Sequence, residues 1–499
     1  MVPSDTTVAV VGGGPVGLIC SILLSLQGID HVIFERQPDT SIHPKAVGHN
    51  QRTTEIFRKL GIEDEVLRQA APSNMSGRTA WYTSLGPDGH EICSRDAWGG
   101  GKYEEVFEKA SPARYVLLPQ IRLEPILKKR ALALDPKGIF FGHEVDGLDE
   151  SSDHVLVRYH QRGKEEVSSP GTLKASYALG ADGGRILTKQ LTIAMNGPSN
   201  IVDMVSAHDA DNLIWKLGLA LKHPHLNFDP LLDSYDAERR PVGERVARTS
   251  LQGMQSHAGS LDKAIGLSPD KDQETNVKAM KQFFDPLNNK EGAAERQEVD
   301  RALDGLDIEF YAHAAEVGFF YDLEYTGDYG NGGPVHDPQL NDMSEMNLNV
   351  YYPTTRPGSQ LPHAWLYDEH SFDQKISTRH LVQLDKLVLL GSSRRWPELE
   401  HAFVDTLTIG DGGEYKPCDQ AWEDICGGVA ESGAIVVRPD GIIAFRFSND
   451  DILNHSGRDI ELRAIVNKIL RLHGFPLSKS GAVTTMAVPT TMAELPALA

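Results

Sequence analysis

The amino-acid sequence predicts an α/β protein, and three observations support this fold class. First, a short apolar, β-branched run at 8–11 ends at a cluster of glycines, and a helix follows at 15–27. Second, another apolar strand is predicted at 31–35. Third, the last third of the chain contains predicted strands and a closing amphipathic helix, at 387–390, 434–437, 442–447 and 460–472. Strands that alternate with helices are typical of domains in which helices cover a sheet.

The composition is that of a globular protein with a strong negative charge. The chain has 499 residues, 40% hydrophobic and 24% charged, so it is long enough for two or three domains. The formal net charge of -21 disfavours nucleic acids and anionic membranes as partners, because both repel a negative surface. Glycines interrupt the apolar stretch at 8–26, and no basic residue precedes it. We therefore expect neither a signal peptide nor a membrane span.

The cysteines and histidines indicate neither a disulfide framework nor a metal site. Cys20, Cys93, Cys418 and Cys426 are scattered and form no CxxC pair. Such usage is typical of a reduced intracellular protein, so we expect a cytoplasmic location. No histidine stands at metal-ligand spacing from a cysteine or carboxylate, and we predict no metal.

A glycine motif at the first strand–helix junction predicts a dinucleotide site. Gly12 allows a tight turn, Gly14 lets a pyrophosphate approach the backbone, and Gly17 lets the helix pack on the sheet. The free N–H groups and dipole of the helix N-terminus favour an anion. Glu35 ends the second strand, where an acid can bind a ribose hydroxyl and disfavours a 2′-phosphate. FAD or NAD therefore fits better than NADP. The candidate contacts are Gly12, Gly13, Gly14, Pro15, Val16, Gly17, Glu35 and Arg36.

The middle of the chain continues the alternation of helices and strands. Helices are predicted at 53–60, 123–134, 207–221 and 229–249, and strands of a small meander at 139–141 and 155–159. We interpret the polar segment at 256–305 as a helical connector. The stretch at 325–342, rich in Gly, Asp and Asn, is predicted to be a loop.

Two segments after the second strand resemble FAD-dependent aromatic hydroxylases. The match is closest to the phenol and chlorophenol monooxygenases of the p-hydroxybenzoate hydroxylase-like flavoproteins. Segment 43–56, HPKAVGHNQRTTEI, resembles the family stretch that implies a position for Arg52 near the flavin and pyrophosphate. Segment 118–127, LPQIRLEPIL, resembles the next family motif, which implies that Gln120 contacts FAD.

Further segments extend the resemblance. Segment 179–185, LGADGGR, resembles the family's Asp-Gly motif, which implies that Asp182, followed by Gly183, helps to hold FAD and is involved in NAD(P)H use. Segment 209–217 resembles a helix whose N-terminus points at the flavin, where backbone N–H groups stabilise negative charge. Segment 235–242 resembles the following helix, for which we expect a structural role.

The C-terminal third resembles the phenol hydroxylase group again. Segments 352–366 and 434–446 are similar to the entry and the terminal hairpin of its thioredoxin-like domain. The redox CxxC is absent here, so we assign this domain packing or homodimer contacts and no thiol chemistry. The domains predicted are an FAD-binding Rossmann-like domain, a helical connector with its linker, the thioredoxin-like α/β domain and a disordered tail, at 1–255, 256–345, 346–475 and 476–499.

One departure from the family pattern concerns the substrate-binding sheet. The family places that sheet, and a Gly-Asp motif for the FAD ribityl chain, between the positions of Asp182 and Asp209. Here these residues lie only 27 positions apart, too few for several strands with their turns. We therefore expect a deletion near 186–206, which arose either in the gene prediction or naturally, and a reduced or missing substrate sheet.

The resemblance implies an FAD-dependent monooxygenase that hydroxylates a phenolic substrate. FAD would be reduced by NAD(P)H and would capture oxygen as a peroxyflavin, so that the cofactor performs the chemistry and the protein orients the reactants. No protein group is assigned as catalytic. Two alternatives stay open: an inactive or impaired remnant of such an enzyme, and a flavin oxidase or dehydrogenase that acts on another substrate.

Overall fold

The structure is a computed structural model, and part of the chain is described. The described residues are 1–163, 170–184, 206–257, 260–285, 291–321, 323, 348–369, 375–392, 396, 401–426, 433–447 and 455–472. The predicted loop at 325–342 and the tail from 476 lie outside these ranges, and so does the predicted junction at 186–206 except for Ser206, the first residue of a helix.

The N-terminal half contains ten strands among the described residues. They are β1 (Asp5–Val11), β2 (His31–Glu35), β3 (Gly48–His49), β4 (Arg78–Tyr82), β5 (Glu91–Asp96), β6 (Val116–Leu117), β7 (Ile139–Phe141), β8 (His143–Glu150), β9 (Val155–Gln161) and β10 (Gly171–Gly180). Six of them form a sheet in the order β7-β2-β1-β10-β9-β8, while β3 pairs with β6 and β4 with β5. Strand β1 is parallel to both neighbours, with Val10 opposite Ile33 on β2 and Leu179 on β10. The predicted meander is thus part of one sheet with the first two strands.

Helices surround this sheet and continue beyond it. They are α1 (Pro15–Leu26), α2 (Gln51–Lys59), α3 (Glu63–Gln69), α4 (Ser73–Ser76), α5 (Glu104–Ala110), α6 (Gln120–Leu134), α7 (Ser206–Lys222), α8 (Asp229–His257), α9 (Ser260–Ile265), α10 (Gln273–Phe284), α11 (Glu291–Asp304), α12 (Asp307–Phe310) and α13 (His313–Val317). None of the helices described is long and apolar enough to cross a membrane.

Helix α7 runs alongside α1 in the same direction. Burial, with a smaller contribution from the nearby charge of Asp209 at the start of α7, raises the pKa of the Cys20 thiol to about 12. Further along, the side-chain amide of Gln27 donates to the Ile214 carbonyl at 3.4 Å. Apolar side chains of both helices, including Leu18 and Ile214, lie in one buried cluster. The N-termini of α1 and α7 are therefore at the same end of the sheet.

The C-terminal part forms a second α/β unit. Its strands are β11 (Trp365–Asp368), β12 (Lys375–Ser377), β13 (Leu387–Ser392), β14 (Val404–Ile409), β15 (Tyr415–Pro417), β16 (Ala434–Val437) and β17 (Ile443–Phe447), with helices α14 (Ala421–Cys426) and α15 (His455–Ile469). They form a mixed sheet in the order β12-β11-β15-β14-β13-β16-β17. Strands β13 and β14 are parallel, and β16 is antiparallel to β13.

The two units share a hydrophobic core. Leu389 and Val436 of the C-terminal sheet are fully buried in the same cluster as Trp215 of α7 and Leu231 of α8. The opposite face of the sheet has its own cluster, which includes Trp422 of α14. Helices of the first unit therefore complete the covering of the second.

This shared core predicts how an isolated C-terminal fragment behaves. A chain of residues 346–475 lacks α7 and α8, so Leu389 and Val436 lose part of their apolar cover. We expect this fragment to show no cooperative thermal transition by circular dichroism, whereas residues 1–475 show one. A sharp transition for the fragment would contradict the dependence on the shared core.

Candidate cofactor site

The glycine motif lies at the carboxyl end of β1, and its geometry requires glycine at two positions. Gly12 has φ +110°, and a Cβ there would lie 2.3 Å from the Ala181 carbonyl oxygen. A Cβ at Gly17 would lie 1.9 Å from the Gly12 carbonyl oxygen, so a side chain would push α1 away from the turn. These close approaches hold the strand, the turn and the helix together.

Gly14 differs from Gly12, Gly13 and Gly17 because, among the described residues, it faces open space. A Cβ at Gly14 would meet no atom within 4 Å, and its φ is an ordinary -72°. Gly14 is the N-cap of α1, its cap position has no side-chain hydrogen bond, and the first turn contains no acidic residue. Pro15 and Val16 begin the helix. Open space beside uncapped backbone N–H groups fits a phosphate group.

Glu35 and Arg36 follow at the carboxyl end of β2. Glu35 accepts hydrogen bonds from the backbone N–H groups of Gly13 at 2.8 Å and Gln37 at 2.7 Å. These bonds fix the carboxylate beside the glycine turn, where it can still accept from ribose hydroxyls. Arg36 is half-buried next to it.

Asp182 and Gly183 are brought to the same edge by β10. The Ala181 N–H donates to the Val11 carbonyl at 2.8 Å, and the Asp182 backbone nitrogen lies 2.9 Å from the position of a Gly12 Cβ. The Asp182 carboxylate accepts from the Gly184 N–H at 3.1 Å, and Gly183 adopts φ +72°. The carboxyl ends of β1, β2 and β10 thus place motif residues from three parts of the chain in one crevice, where open α/β sheets bind ligands.

Gln120 is connected to the loop that precedes β3. It is the first residue of α6, and its backbone N–H donates to the carbonyls of Pro44 at 2.9 Å and Ala46 at 2.8 Å. Its buried side-chain amide donates to Glu124, which also accepts from the Ser41 N–H. The structure therefore places Gln120 as an anchor of the 41–46 loop.

Arg52 lies on the first turn of α2 and points towards the C-terminal unit. Its guanidinium donates to Glu55 at 3.2 Å, to Asp211 at 3.1 Å and to the Asp440 carbonyl. With the Gln360 amide oriented so that its oxygen faces Arg52, that oxygen accepts from Nε at 2.8 Å and Nη1 at 3.0 Å. All five N–H donors of Arg52 therefore have protein acceptors in this arrangement, and its cofactor role stays a prediction.

The start of α7 packs against α2. The imidazole of His208 lies 3.4 Å from the Thr53 hydroxyl, and burial holds the pKa of His208 well below its ordinary value. Asp209 accepts from Arg239 at 2.7 Å. Burial raises the pKa of Asp209, against the opposing charge of Arg239.

A cluster of buried charges lies between α7, α8 and the C-terminal unit, and the sequence analysis did not predict it. Glu238 on α8 accepts from both Nη atoms of Arg438, at 2.8 and 2.7 Å, and from Lys216 at 2.9 Å. Burial alone would raise the pKa of Glu238, but Arg438 and Lys216 hold it below its ordinary value. Burial lowers the pKa of Lys216 to about 8. The signal in the sequence was a charge inside an apolar run, as in Ile214-Trp215-Lys216-Leu217, because a buried charge requires a partner.

A second buried contact ties the start of α2 to α13. The Gln51 amide donates to the carbonyls of Phe107 and Ala113, both at 2.8 Å, so its oxygen accepts from His313 Nε2 at 2.9 Å. His313 is fully buried, and its Nδ1 has no hydrogen-bond partner among the residues that the structure describes. This arrangement fits a neutral imidazole, and burial lowers the pKa of His313 to about 3.

Burial disfavours reactive cysteines, and the described residues contain no cluster of metal ligands. Burial raises the pKa of Cys93 to about 11 and that of Cys426 well above its ordinary value, which disfavours thiolates. Among the residues that the structure describes, no group of three or more His, Cys, Asp or Glu side chains could hold a metal ion.

Family comparisons assign both units. Residues 5–208 match the FAD binding domain family, and residues 354–470 match the family described as aromatic-ring hydroxylase, C-terminal. Together with the crevice at the carboxyl edge, these matches define a flavoprotein with FAD as its cofactor. The chain thus combines an FAD binding domain with the C-terminal domain of aromatic-ring hydroxylases.

Individual relatives support this assignment over most of the chain. Phenol 2-monooxygenase of Pseudomonas sp. (strain EST1001) is 26% identical, with 89% of this chain and 90% of the relative covered. The 2,4-dichlorophenol 6-monooxygenase of Cupriavidus pinatubonensis is 24% identical, with 89% and 93% covered. The fold is similar to the crystal structure of the flavin-dependent monooxygenase PieE in complex with FAD and substrate. Its TM-score is 0.80 at 24% identity, with 94% of this chain and 99% of PieE covered.

The alignment with phenol 2-monooxygenase also contains unmatched positions. It runs over 574 positions, more than the 499 residues of the chain. Because it includes 89% of this chain, about 444 residues, about 130 positions (574 less 444) have no counterpart here. This count supports a deletion of the kind that the sequence predicts, although it does not locate the deletion.

The contrast between Gly14 and Gly17 gives a test of the cofactor crevice. For Gly14→Ala we expect unchanged thermal stability, because the methyl group meets no protein atom. It would occupy the space beside the helix N-terminus, so FAD affinity should fall at least about tenfold, the equivalent of 1.4 kcal/mol. Fluorescence titration with FAD and thermal unfolding of the same sample measure both quantities.

Gly17→Ala is the matched control. Its methyl group overlaps the Gly12 carbonyl, so we expect a loss of stability of about 1–3 kcal/mol. Unchanged FAD affinity in Gly14→Ala would show that the phosphate does not lie at this turn.

The buried His313 predicts a dependence of stability on pH. Its folded pKa of about 3 lies below the ordinary 6.5, so its contribution to stability is present above pH 6.5 and is lost as the pH falls towards 3. Between pH 7 and 5 this histidine should account for a decrease of about 2 kcal/mol in the free energy of unfolding.

His313→Gln provides the comparison, because an amide can still donate to Gln51 but does not titrate. Its free energy of unfolding in urea should change less between pH 7 and 5 than that of the wild type. The exposed His225→Gln serves as control and should keep the wild-type dependence. Equal pH dependence in the wild type and His313→Gln would rule out the buried neutral imidazole.

Proposed function

We propose that this chain is an FAD-dependent monooxygenase that hydroxylates a phenolic substrate with NAD(P)H and O2. The observation that carries the proposal is the crevice in which the Gly12 turn and Asp182, 170 positions apart, meet at the carboxyl edge of β1 and β10. The similarity to phenol and dichlorophenol monooxygenases over about nine-tenths of their lengths supports the substrate class.

The residues of the crevice have distinct roles in the proposed site. The N–H groups at the start of α1 would hold the pyrophosphate, Glu35 a ribose, and Asp182 with Gly183 the part of FAD that lies against β10. Bound FAD supplies the redox and oxygen chemistry, which no side chain provides. The protein would orient the flavin and keep water from it, and no protein base is assigned for the phenol.

A second candidate function is an impaired or inactive remnant of such an enzyme. Two observations favour it: the 27-residue spacing between Asp182 and Asp209, and the roughly 130 positions of the phenol 2-monooxygenase alignment that lack a counterpart. Such a protein would keep the FAD crevice and lose the enclosure of the substrate. An oxidase or dehydrogenase for another kind of substrate is less well supported, because residues 354–470 match the aromatic-ring hydroxylase family.

Several finer features also stand as proposals. We propose a thioredoxin-like fold for 346–475, on the basis of its mixed sheet with helices α14 and α15, and a role for this unit in packing or in a homodimer. The domain limits at 255, 345 and 475 and a cytoplasmic location belong to the same proposal.

The missing positions predict the outcome of turnover. Oxygen transfer requires that water is excluded and that the phenol is held beside the flavin. If the second candidate is right and the family's substrate sheet is missing, we expect NADPH oxidation to yield hydrogen peroxide and little or no catechol, whereas the proposed monooxygenase forms catechol in proportion to the NADPH consumed. Product and peroxide are quantified together with NADPH consumption in the presence of simple phenols.

The Gly14→Ala protein, with its weakened FAD site, is the control for flavin chemistry outside the crevice. Catechol formed in a one-to-one ratio with NADPH would refute the uncoupling. It would mean that residues outside 182–209 form the substrate pocket.

A further inference from the structure

The turn between β16 and β17 extends from the C-terminal unit into the FAD domain. The Pro439 carbonyl accepts from Lys59 Nζ at 2.7 Å, and the Asp440 carbonyl accepts from Arg52. The Asp440 carboxylate accepts from Asn212 Nδ2 at 2.9 Å. One turn therefore contacts both α2 and α7.

Asp211 on α7 completes this set of contacts. Its two carboxylate oxygens accept from Lys59 at 2.6 Å and from Arg52 at 3.1 Å, and its side chain is 4% exposed. Lys59 and Arg52 thus each join α7 to the turn. Gly441 suits the turn because its φ of +77° lies in the left-handed region that favours glycine, and a Cβ there would be in ordinary contact with the Arg52 guanidinium, at 3.4 Å.

Arg438 makes a further set of contacts that hold the turn in place. Besides Glu238 it contacts the Asp440 carboxylate, and its guanidinium lies 5.2 Å from the ring centroid of Trp215 and 5.5 Å from that of Tyr321. These groups are buried and mutually paired, so loss of one partner leaves an uncompensated charge or donor. Such a cluster allows little displacement of the turn relative to α7.

Helix α7 in turn packs against α1, the helix that begins at the cofactor crevice. It runs parallel to α1, with Asp209 near Cys20 and Ile214 bonded to Gln27, so its first turns lie beside the N-terminal half of α1. That half begins at the Gly14 cap. A shift of α7 would therefore change the packing of the helix that presents N–H groups to the pyrophosphate.

We propose that the turn formed by residues 438–441, which we call the docking turn, positions α2 and the first half of α7 for FAD binding. Arg52 and Lys59 are positioning residues in this proposal, because they act through the helices they join. The proposal rests on the FAD site described under the proposed function. It gives the C-terminal unit a part in setting cofactor affinity.

Lys59→Met tests the proposal, with Lys222→Met as a matched control. Both lysines connect the FAD domain to the C-terminal unit, since Lys222 at the far end of α7 pairs with Asp385 at 2.8 Å. Their side chains are similarly covered, 15% and 26% exposed, but only Lys59 contacts the docking turn. The comparison therefore separates the docking turn from interdomain contacts in general.

Two quantities are measured on the full chain. The first is the dissociation constant for FAD, from the change in flavin fluorescence. The second is amide hydrogen exchange of residues 209–216 without added FAD. We expect Lys59→Met to raise the dissociation constant about tenfold and to speed exchange of these amides by a similar factor, while Lys222→Met changes each less than about twofold. Lys59→Arg keeps the charge and should recover most of the affinity.

The outcomes are distinguishable. If Lys59→Met lowers the melting temperature but leaves FAD affinity and the exchange of 209–216 equal to those of Lys222→Met, the docking turn is only structural and the proposal is overturned. If Lys59→Met does not fold, Asp440→Asn replaces it, with Asp405→Asn as control for an ion pair inside the C-terminal sheet. If the wild type binds no FAD, the proposed function fails, and the exchange comparison alone decides whether the turn positions α7.

Discussion

The contact between the Gly12 turn and the backbone after β10 is the constraint on which the cofactor crevice depends. With the Ala181 carbonyl 2.3 Å from where a Cβ would be, β1 and β10 can end side by side only if residue 12 is glycine. Their parallel pairing, with Val11 opposite Gly180, then puts Asp182 beside the turn. Because β2 is parallel on the other side of β1, Glu35 reaches the same edge. One steric condition thus assembles residues from three distant segments.

The second unit is joined to this framework by apolar packing and by charge. The shared core around Trp215 and Leu389 provides the non-directional part of the interface. The Arg438–Glu238 ion pair and the hydrogen bonds from Lys59 and Arg52 to the carbonyls of Pro439 and Asp440 fix the orientation of the two units, because buried charged groups tolerate few alternative arrangements. Hydrophobic contact alone would permit sliding between the units.

Local elements were predictable from the sequence, and long-range pairings were not. The strands at 31–35, 139–141 and 434–437 were predicted with their observed limits, because apolar runs bounded by turn residues are local signals. The place of β10 beside β1 depends on contacts between residues 169 positions apart, which no local pattern indicates. Gly12 and Asp182 were placed together by family resemblance. The partners of Arg52 lie at 211, 360 and 440, and no local pattern connects these positions.

The topology explains how a deletion could leave this framework intact. Strand β10 ends beside Gly12 at the carboxyl edge of the sheet, and α7, parallel to α1, begins at the same edge. A segment inserted between these two points leaves the edge and returns to it, so its removal changes neither strand order nor the packing of α7 on α1. FAD binding depends on this framework, whereas enclosure of the substrate depends on a segment inserted at the carboxyl edge of the sheet. The two functions can therefore be lost separately.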